Sequence, residues 1–92
     1  MRPIDMTIEV NGKRYFEVKN FAWATSKSVQ NIRFLMSYGN RLRRLQVVYV
    51  GDKPLIPWEE LTQYPFTVPG RNSKEVYHYD EDGRQVFEDK GA

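Results

Sequence analysis

A chain of 92 residues makes one small domain with a single modest core. It has no cysteine, so a disulfide-stapled secreted scaffold is disfavoured and a reducing, cytoplasmic compartment fits. No apolar run approaches the roughly 18 residues of a membrane span, which excludes a membrane partner of that kind. The net charge is only +2, but it is unevenly spread. Residues 13–46 carry eight basic side chains against Glu17 alone, a local balance of +7, while residues 47–92 carry five basic and nine acidic ones. A basic block of that density is the electrostatic footprint of a polyanion binder, although a solvated basic face gives the same composition.

The first twenty residues contain Asp5, Glu9 and Glu17, so they read as folded chain rather than a signal peptide. Asn11-Gly12 lies between two strand-like runs and is a strong hairpin signal, because both residues tolerate positive φ. Residues 19–25 predict a short helix around Phe21, Ala22 and Trp23. Thr25, Ser26 and Ser28 are candidate caps for the helix that follows, since a hydroxyl accepts the free N–H groups of a helix start. That second helix spans 29–38. Val29, Ile32, Leu35 and Met36 fall three and four apart and form its buried stripe, Phe34 and Tyr38 flank it, and Lys27, Gln30, Asn31, Arg33 and Ser37 face away. Gly39 then ends it in the left-handed conformation.

Arg41-Leu42-Arg43-Arg44 is a basic connector. Leu45 to Val50 predicts a strand, Gly51-Asp52-Lys53 a turn, and Pro54 to Pro57 a second strand whose prolines confine it to an edge or a strand end. Trp58 to Tyr64 reads as one or two helical turns with Glu59 and Glu60 near the positive N-terminus, stopped by Pro65. Pro69, Gly70, Asn72 and Ser73 form a linker. Val76 to Tyr79 and Arg84 to Phe87 then make either a second hairpin, closed at Asp82-Gly83, or a solvated acidic tail. The expected division is therefore residues 1–66 as one domain and 67–92 as linker plus C-terminal hairpin or tail. The aromatics Phe16, Trp23, Phe34, Trp58 and Tyr64 are expected in the core.

Nothing in the chain reads as catalytic machinery. His78 is the single histidine and lies in a strand-like run between two tyrosines. Asp80-Glu81-Asp82 lacks the alternating ligands and distal Glu of a calcium loop. No phosphate-cradling or dinucleotide glycine pattern occurs. The chain is expected to be a binding protein, not an enzyme, with no cofactor and no metal.

Residues 13–64 resemble the excisionase-like and MerR-like winged helix domains. Ala22, Ser28 and Ile32 match that family's spacing, followed by Arg33, Phe34, Leu35 and Gly39, and by a wing that closes on Ile56-Pro57-Trp58-Glu59-Glu60-Leu61. Thr25-Ser26-Lys27 departs from the family's small apolar turn, and the stretch after Gly39 is longer and more basic. The resemblance implies an α+β winged helix-turn-helix fold that binds double-stranded DNA, as in a phage or mobile-element excisionase-like factor or a transcriptional regulator. It implies that Ser28 caps the recognition helix or meets a phosphate, that Lys27, Gln30 and Asn31 face bases, and that Arg33 contacts phosphate or base. Arg41, Arg43, Arg44 and Lys53 would lie along the DNA backbone. For Arg33 the competing expectation is an ion pair with Glu59 or Glu60; for Gln30, Asn31 and Lys53 it is ordinary solvation. The rival function is a protein-interaction module that docks a recombinase or a polymerase, with Val76, Tyr77, Tyr79, Val86 and Phe87 offering an aromatic edge to a partner strand. Binding of single-stranded nucleic acid is a third possibility.

Overall fold

Asn11 and Gly12 both adopt positive φ, 52° and 81°, as a two-residue turn between right-twisted strands demands. Strands β1 (Ile8–Val10) and β2 (Lys13–Glu17) pair across that turn, Ile8 opposite Tyr15 and Val10 opposite Lys13. The computed structural model describes residues 1–70 and 73–88 and shows a small mixed α+β domain: two antiparallel sheets and three α-helices, with a 3-10 turn at Pro3–Met6.

β2 runs directly into helix α1 (Val18–Ala24), which buries Phe21, Ala22 and Ala24. A four-residue turn, 25–28, leads to α2 (Val29–Ser37). Ser28 caps α2 by accepting the Asn31 N–H at 3.0 Å, which satisfies one of the donors a helix start leaves free. Ile32 and Leu35 are buried in the core on the side where α2 meets α1, and Met36 packs against that core. Val29 was expected in that stripe and is 38% exposed; as the first helical residue it borders a surface cleft, and core contact begins one turn later. Gly39 ends the helix at φ 74°.

The strand expected from Leu45 is confined to β3 (Val48–Val50). The reason is local: the Leu45 N–H donates to the Leu35 carbonyl (3.1 Å) and the Gln46 N–H to a Glu60 carboxylate oxygen (3.0 Å), so neither is available to a sheet ladder. β4 (Lys53–Pro57) follows, then α3 (Glu59–Gln63). The first sheet runs β1-β2-β4-β3, so β4 is interior, and of the two placements expected for its prolines the strand end is the one adopted: Pro57 is the last residue of β4 and Pro54 the second. The strand tolerates its prolines because pairing with β2 stops at Leu55, short of Pro54, and pairing with β3 also stops at Leu55, short of Pro57. Each proline nitrogen therefore faces the flank where β4 has no neighbour at that level.

The second sheet runs β5 (Phe66–Thr67), β6 (Val76–Tyr79), β7 (Gln85–Glu88). Of the two alternatives for the C-terminal segment, the hairpin is the one formed. Its turn is organised by Asp80, whose carboxylate accepts the N–H groups of Asp82 and Arg84, both at 2.9 Å. The expected division after residue 66 falls inside β5. Of the segment beyond it, residues 71, 72 and 89–92 lie outside the described residues.

One aromatic cluster joins the two sheets. The Phe66 ring contacts those of Tyr64 (4.8 Å), Tyr79 (5.2 Å), Tyr77 (5.6 Å) and Phe21 (6.5 Å). Offset and edge-to-face ring pairs of this kind contribute beyond their buried area. Phe16 and Tyr64 are buried as expected and Trp58 packs partly against the core, whereas Trp23 and Phe34, also expected inside, are each 54% exposed. Tyr77, Tyr79 and Val76 are buried because β6 is the central strand of its sheet, so the aromatic edge expected of the C-terminal hairpin is reduced to Val86 and Phe87 on β7.

Candidate nucleic-acid interface

The outward face of α2 carries Gln30, Asn31, Arg33, Phe34, Ser37 and Tyr38, all exposed. They alternate with the inward Ile32 and Leu35 as the 3.6-residue period requires. Among the described residues Arg33 pairs with no carboxylate, so the ion pair to Glu59 or Glu60 is not formed. Instead Arg33 lines a shallow cleft between α1, α2 and the β3–β4 hairpin, together with Lys19, Val29 and Lys53. Lys53 begins β4 and reaches Glu17 at 3.3 Å, with more than half of its side chain open to solvent. The cleft thus gathers three cations around one carboxylate.

The basic connector splits. Arg41 and Arg44 are exposed. Arg43 turns inward and grips Glu60 through two parallel hydrogen bonds, Nη1 to Oε1 at 3.0 Å and Nη2 to Oε2 at 2.7 Å. Its guanidinium also lies 4.8 Å from the centre of the Tyr64 ring. The Glu60 hydrogen bonds raise the Arg43 pKa above the usual arginine value, against the opposing effect of burial. Glu60 is only 3% exposed, and its carboxylate needs that bidentate partner to be tolerated there. Arg43, expected on the DNA backbone, is therefore engaged inside the fold. Asn40 sets this geometry: its amide oxygen accepts the N–H groups of Leu42 and Arg43, and its amide nitrogen donates to the Pro65 carbonyl at 2.8 Å. Tyr64 adds a 2.9 Å bond from its hydroxyl to the Arg43 carbonyl, and burial raises the pKa of that hydroxyl.

Lys27 is likewise engaged within the protein. Its ammonium donates to the Tyr77 hydroxyl at 2.6 Å and lies 4.9 Å from the Phe66 ring centre and 5.2 Å from that of Tyr77. Beside it the Tyr79 hydroxyl donates to the Thr25 carbonyl at 2.6 Å, and burial raises the Tyr79 pKa. The second sheet thereby fastens the turn between α1 and α2. Of the nine residues expected to face DNA, Gln30, Asn31, Arg33, Arg41, Arg44 and Lys53 are open to solvent, Ser28 is exposed but occupied as a cap, and Lys27 and Arg43 have partners inside the fold. Lys19 joins the cleft without having been singled out; its signal was only its place as the second residue of a helix, two positions after Glu17.

A roomier cleft, of about 570 Å³, opens between the start of β2, the end of β4 and α3. It is lined by both charge signs, Lys13, Arg14 and Arg43 against Glu59 and Glu60, so its excess of positive charge is smaller than that of the cleft holding Lys19, Arg33 and Lys53 against Glu17. His78 is half-buried on β6 with Nδ1 3.7 Å from a Glu88 carboxylate oxygen. Among the described residues no group of three acidic or histidine side chains converges to hold a metal ion, and no helix is long and apolar enough to cross a membrane. No family model, no curated protein and no solved structure matches the chain.

Proposed function

We propose that this chain is a winged helix-turn-helix protein that binds double-stranded DNA, with α2 entering the major groove and the β3–β4 hairpin as the wing. The observation that carries the reading is the cleft in which Arg33 of the second helix and Lys53 of the hairpin stand together with Lys19, beside an outward helix face holding Gln30 and Asn31. Amide side chains suit the donor and acceptor pair of adenine, and cations flanking them suit phosphates on either side of a groove. The element order supports it too: hairpin, helix, tight turn, capped helix, glycine, wing, short helix follows the excisionase-like arrangement that residues 13–64 resemble. On this reading the protein is a binding factor, excisionase-like or regulatory, and not a catalyst.

The test is a mobility shift with random duplex DNA over a range of salt. With Lys27 and Arg43 engaged internally, about four or five phosphate contacts remain within reach, which gives a slope of log K against log salt of about −4 by counterion release. Absence of any shift at about 50 mM salt and micromolar protein would refute the reading. A second reading, docking of a protein strand, is favoured by one observation: β7 is an edge strand whose Val86 and Phe87 are exposed.

A further inference from the structure

The outward face of α2 contains something that phosphate and amide chemistry leave unexplained. Phe34 is 54% exposed and Tyr38, one turn later, is 73% exposed, and their rings pack against each other at 5.0 Å. The pair is set among Gln30, Asn31 and Arg33 on the same helix and the exposed Arg41 and Arg44 just beyond it. Phe34 stands one turn from Gln30 and next to Arg33, in the middle of the face that the proposed function turns toward DNA. With Tyr38 packed on it and a shallow cleft toward Tyr77 beside it, Phe34 still keeps more than half of its surface open to solvent.

Resting on that proposed function, we infer that Phe34 is a specificity residue that reads thymine through its C5-methyl group. The floor of the major groove presents hydrogen-bond donors, acceptors and a single kind of apolar group, the thymine methyl. A phenyl ring has no polar atom to offer the donors and acceptors, so the methyl is the feature it matches. Gln30 lies about 6 Å away along the helix axis at 1.5 Å per residue. With base pairs about 3.4 Å apart, the adenine it suits and the thymine under Phe34 fall within about two steps of each other. The cations around the pair favour a polyanion over an apolar protein surface as the occupant of this face.

The experiment selects a tight-binding duplex from a random pool with the wild-type protein, then remakes that duplex with deoxyuridine in place of thymidine, which removes only the methyl groups. Wild type is expected to bind the uracil duplex about three- to tenfold more weakly, the scale of one or two buried methyl groups. Phe34→Ala, at an exposed helical position that suits alanine, is expected to bind both duplexes alike, and Phe34→Leu to keep part of the preference. Circular dichroism of each variant confirms that the helix is retained. Equal wild-type affinity for the two duplexes, with binding still steeply salt-dependent, overturns the inference and leaves DNA binding standing. A thymine preference that survives in Phe34→Ala overturns it as well, and assigns the aromatic pair to a protein partner if its affinity is also unchanged. No salt-dependent binding to any duplex overturns the underlying function and this inference with it.

Discussion

The Lys27 ammonium and the Tyr77 hydroxyl, fifty residues apart in the chain, meet at 2.6 Å and tie the turn before α2 to the central strand of the second sheet. A cation held over aromatic faces and hydrogen-bonded at once is a stabilising contact. Its position puts it in control of where α2 begins. Lys27→Met is expected to lower stability by about 1 kcal/mol, a fall of roughly 4–8 °C in melting temperature for a domain this size. Tyr77→Phe should produce part of the same loss, and the double variant should lose less than the sum. DNA binding by Lys27→Met should weaken with its salt slope unchanged. A slope shallower by about one would place Lys27 on a phosphate instead.

Arg43 and Arg41 are two residues apart and should behave as different kinds of residue. Arg43→Met strands the buried Glu60 carboxylate, which among the described residues then keeps only the Gln46 N–H. The expected cost is about 2–3 kcal/mol, toward the lower end for a buried pair because the arginine side of it is partly open to water. Arg41→Met should change stability by less than about 0.5 kcal/mol and reduce the salt slope by about one. Urea denaturation of the two variants separates them. Unchanged stability in Arg43→Met would mean that the Glu60 pair contributes nothing to the fold.

Gly39 has a requirement beyond its positive φ. A β-carbon there would lie 2.5 Å from the Arg43 carbonyl oxygen and 2.7 Å from the Arg44 Cα, both backbone atoms with no freedom to retreat. Gly12 has a similar φ but open space around it. Gly39→Ala is therefore expected to cost more than about 2 kcal/mol and Gly12→Ala about 1, the difference measuring the clash alone. Equal losses in thermal unfolding would show that the connector moves away at no cost.

Stability should fall in alkali. Burial raises the pKa values of Tyr64 and Tyr79 above the ordinary tyrosine value of about 10. Just above that pH the unfolded chain has released protons that the folded chain retains, so the unfolded state binds fewer and unfolding becomes easier as pH rises. Below about pH 9 these groups contribute no slope. Tyr79→Phe removes one titrating hydroxyl and should flatten the decline between about pH 9 and 11, while starting from a lower melting temperature because the bond to the Thr25 carbonyl is gone. An unaltered alkaline slope in that variant would exclude Tyr79 as a source of the effect.

The local features were legible in the sequence because local chemistry decides them. Asn11-Gly12 marks its hairpin, Ser28 its cap and Gly39 the end of α2, each through backbone conformations or free N–H groups within four residues. The fates of Lys27 and Arg43 were not legible. Both are basic residues in a basic segment, and what engages them within the protein is a tyrosine fifty positions on and a glutamate seventeen positions on, the latter beyond the β3–β4 hairpin. Phe34 was misplaced for a related reason. Periodicity puts it beside the buried stripe, and no pattern distinguishes a flanking ring that packs inward from one that packs on Tyr38 in solvent. The end of β3 toward Leu45 was set by hydrogen bonds to Leu35 and Glu60 that β propensity does not encode.

The two prolines of β4 act as end stops. Zipping β4 further along β2 would bring the Pro54 nitrogen opposite a carbonyl it cannot serve, and zipping it further along β3 would do the same at Pro57. Both ladders are halted by the chain itself, at opposite ends of a five-residue strand. The β3–β4 hairpin consequently has one length and one alignment, which fixes where along the sheet Lys53 enters the cleft that Arg33 also lines.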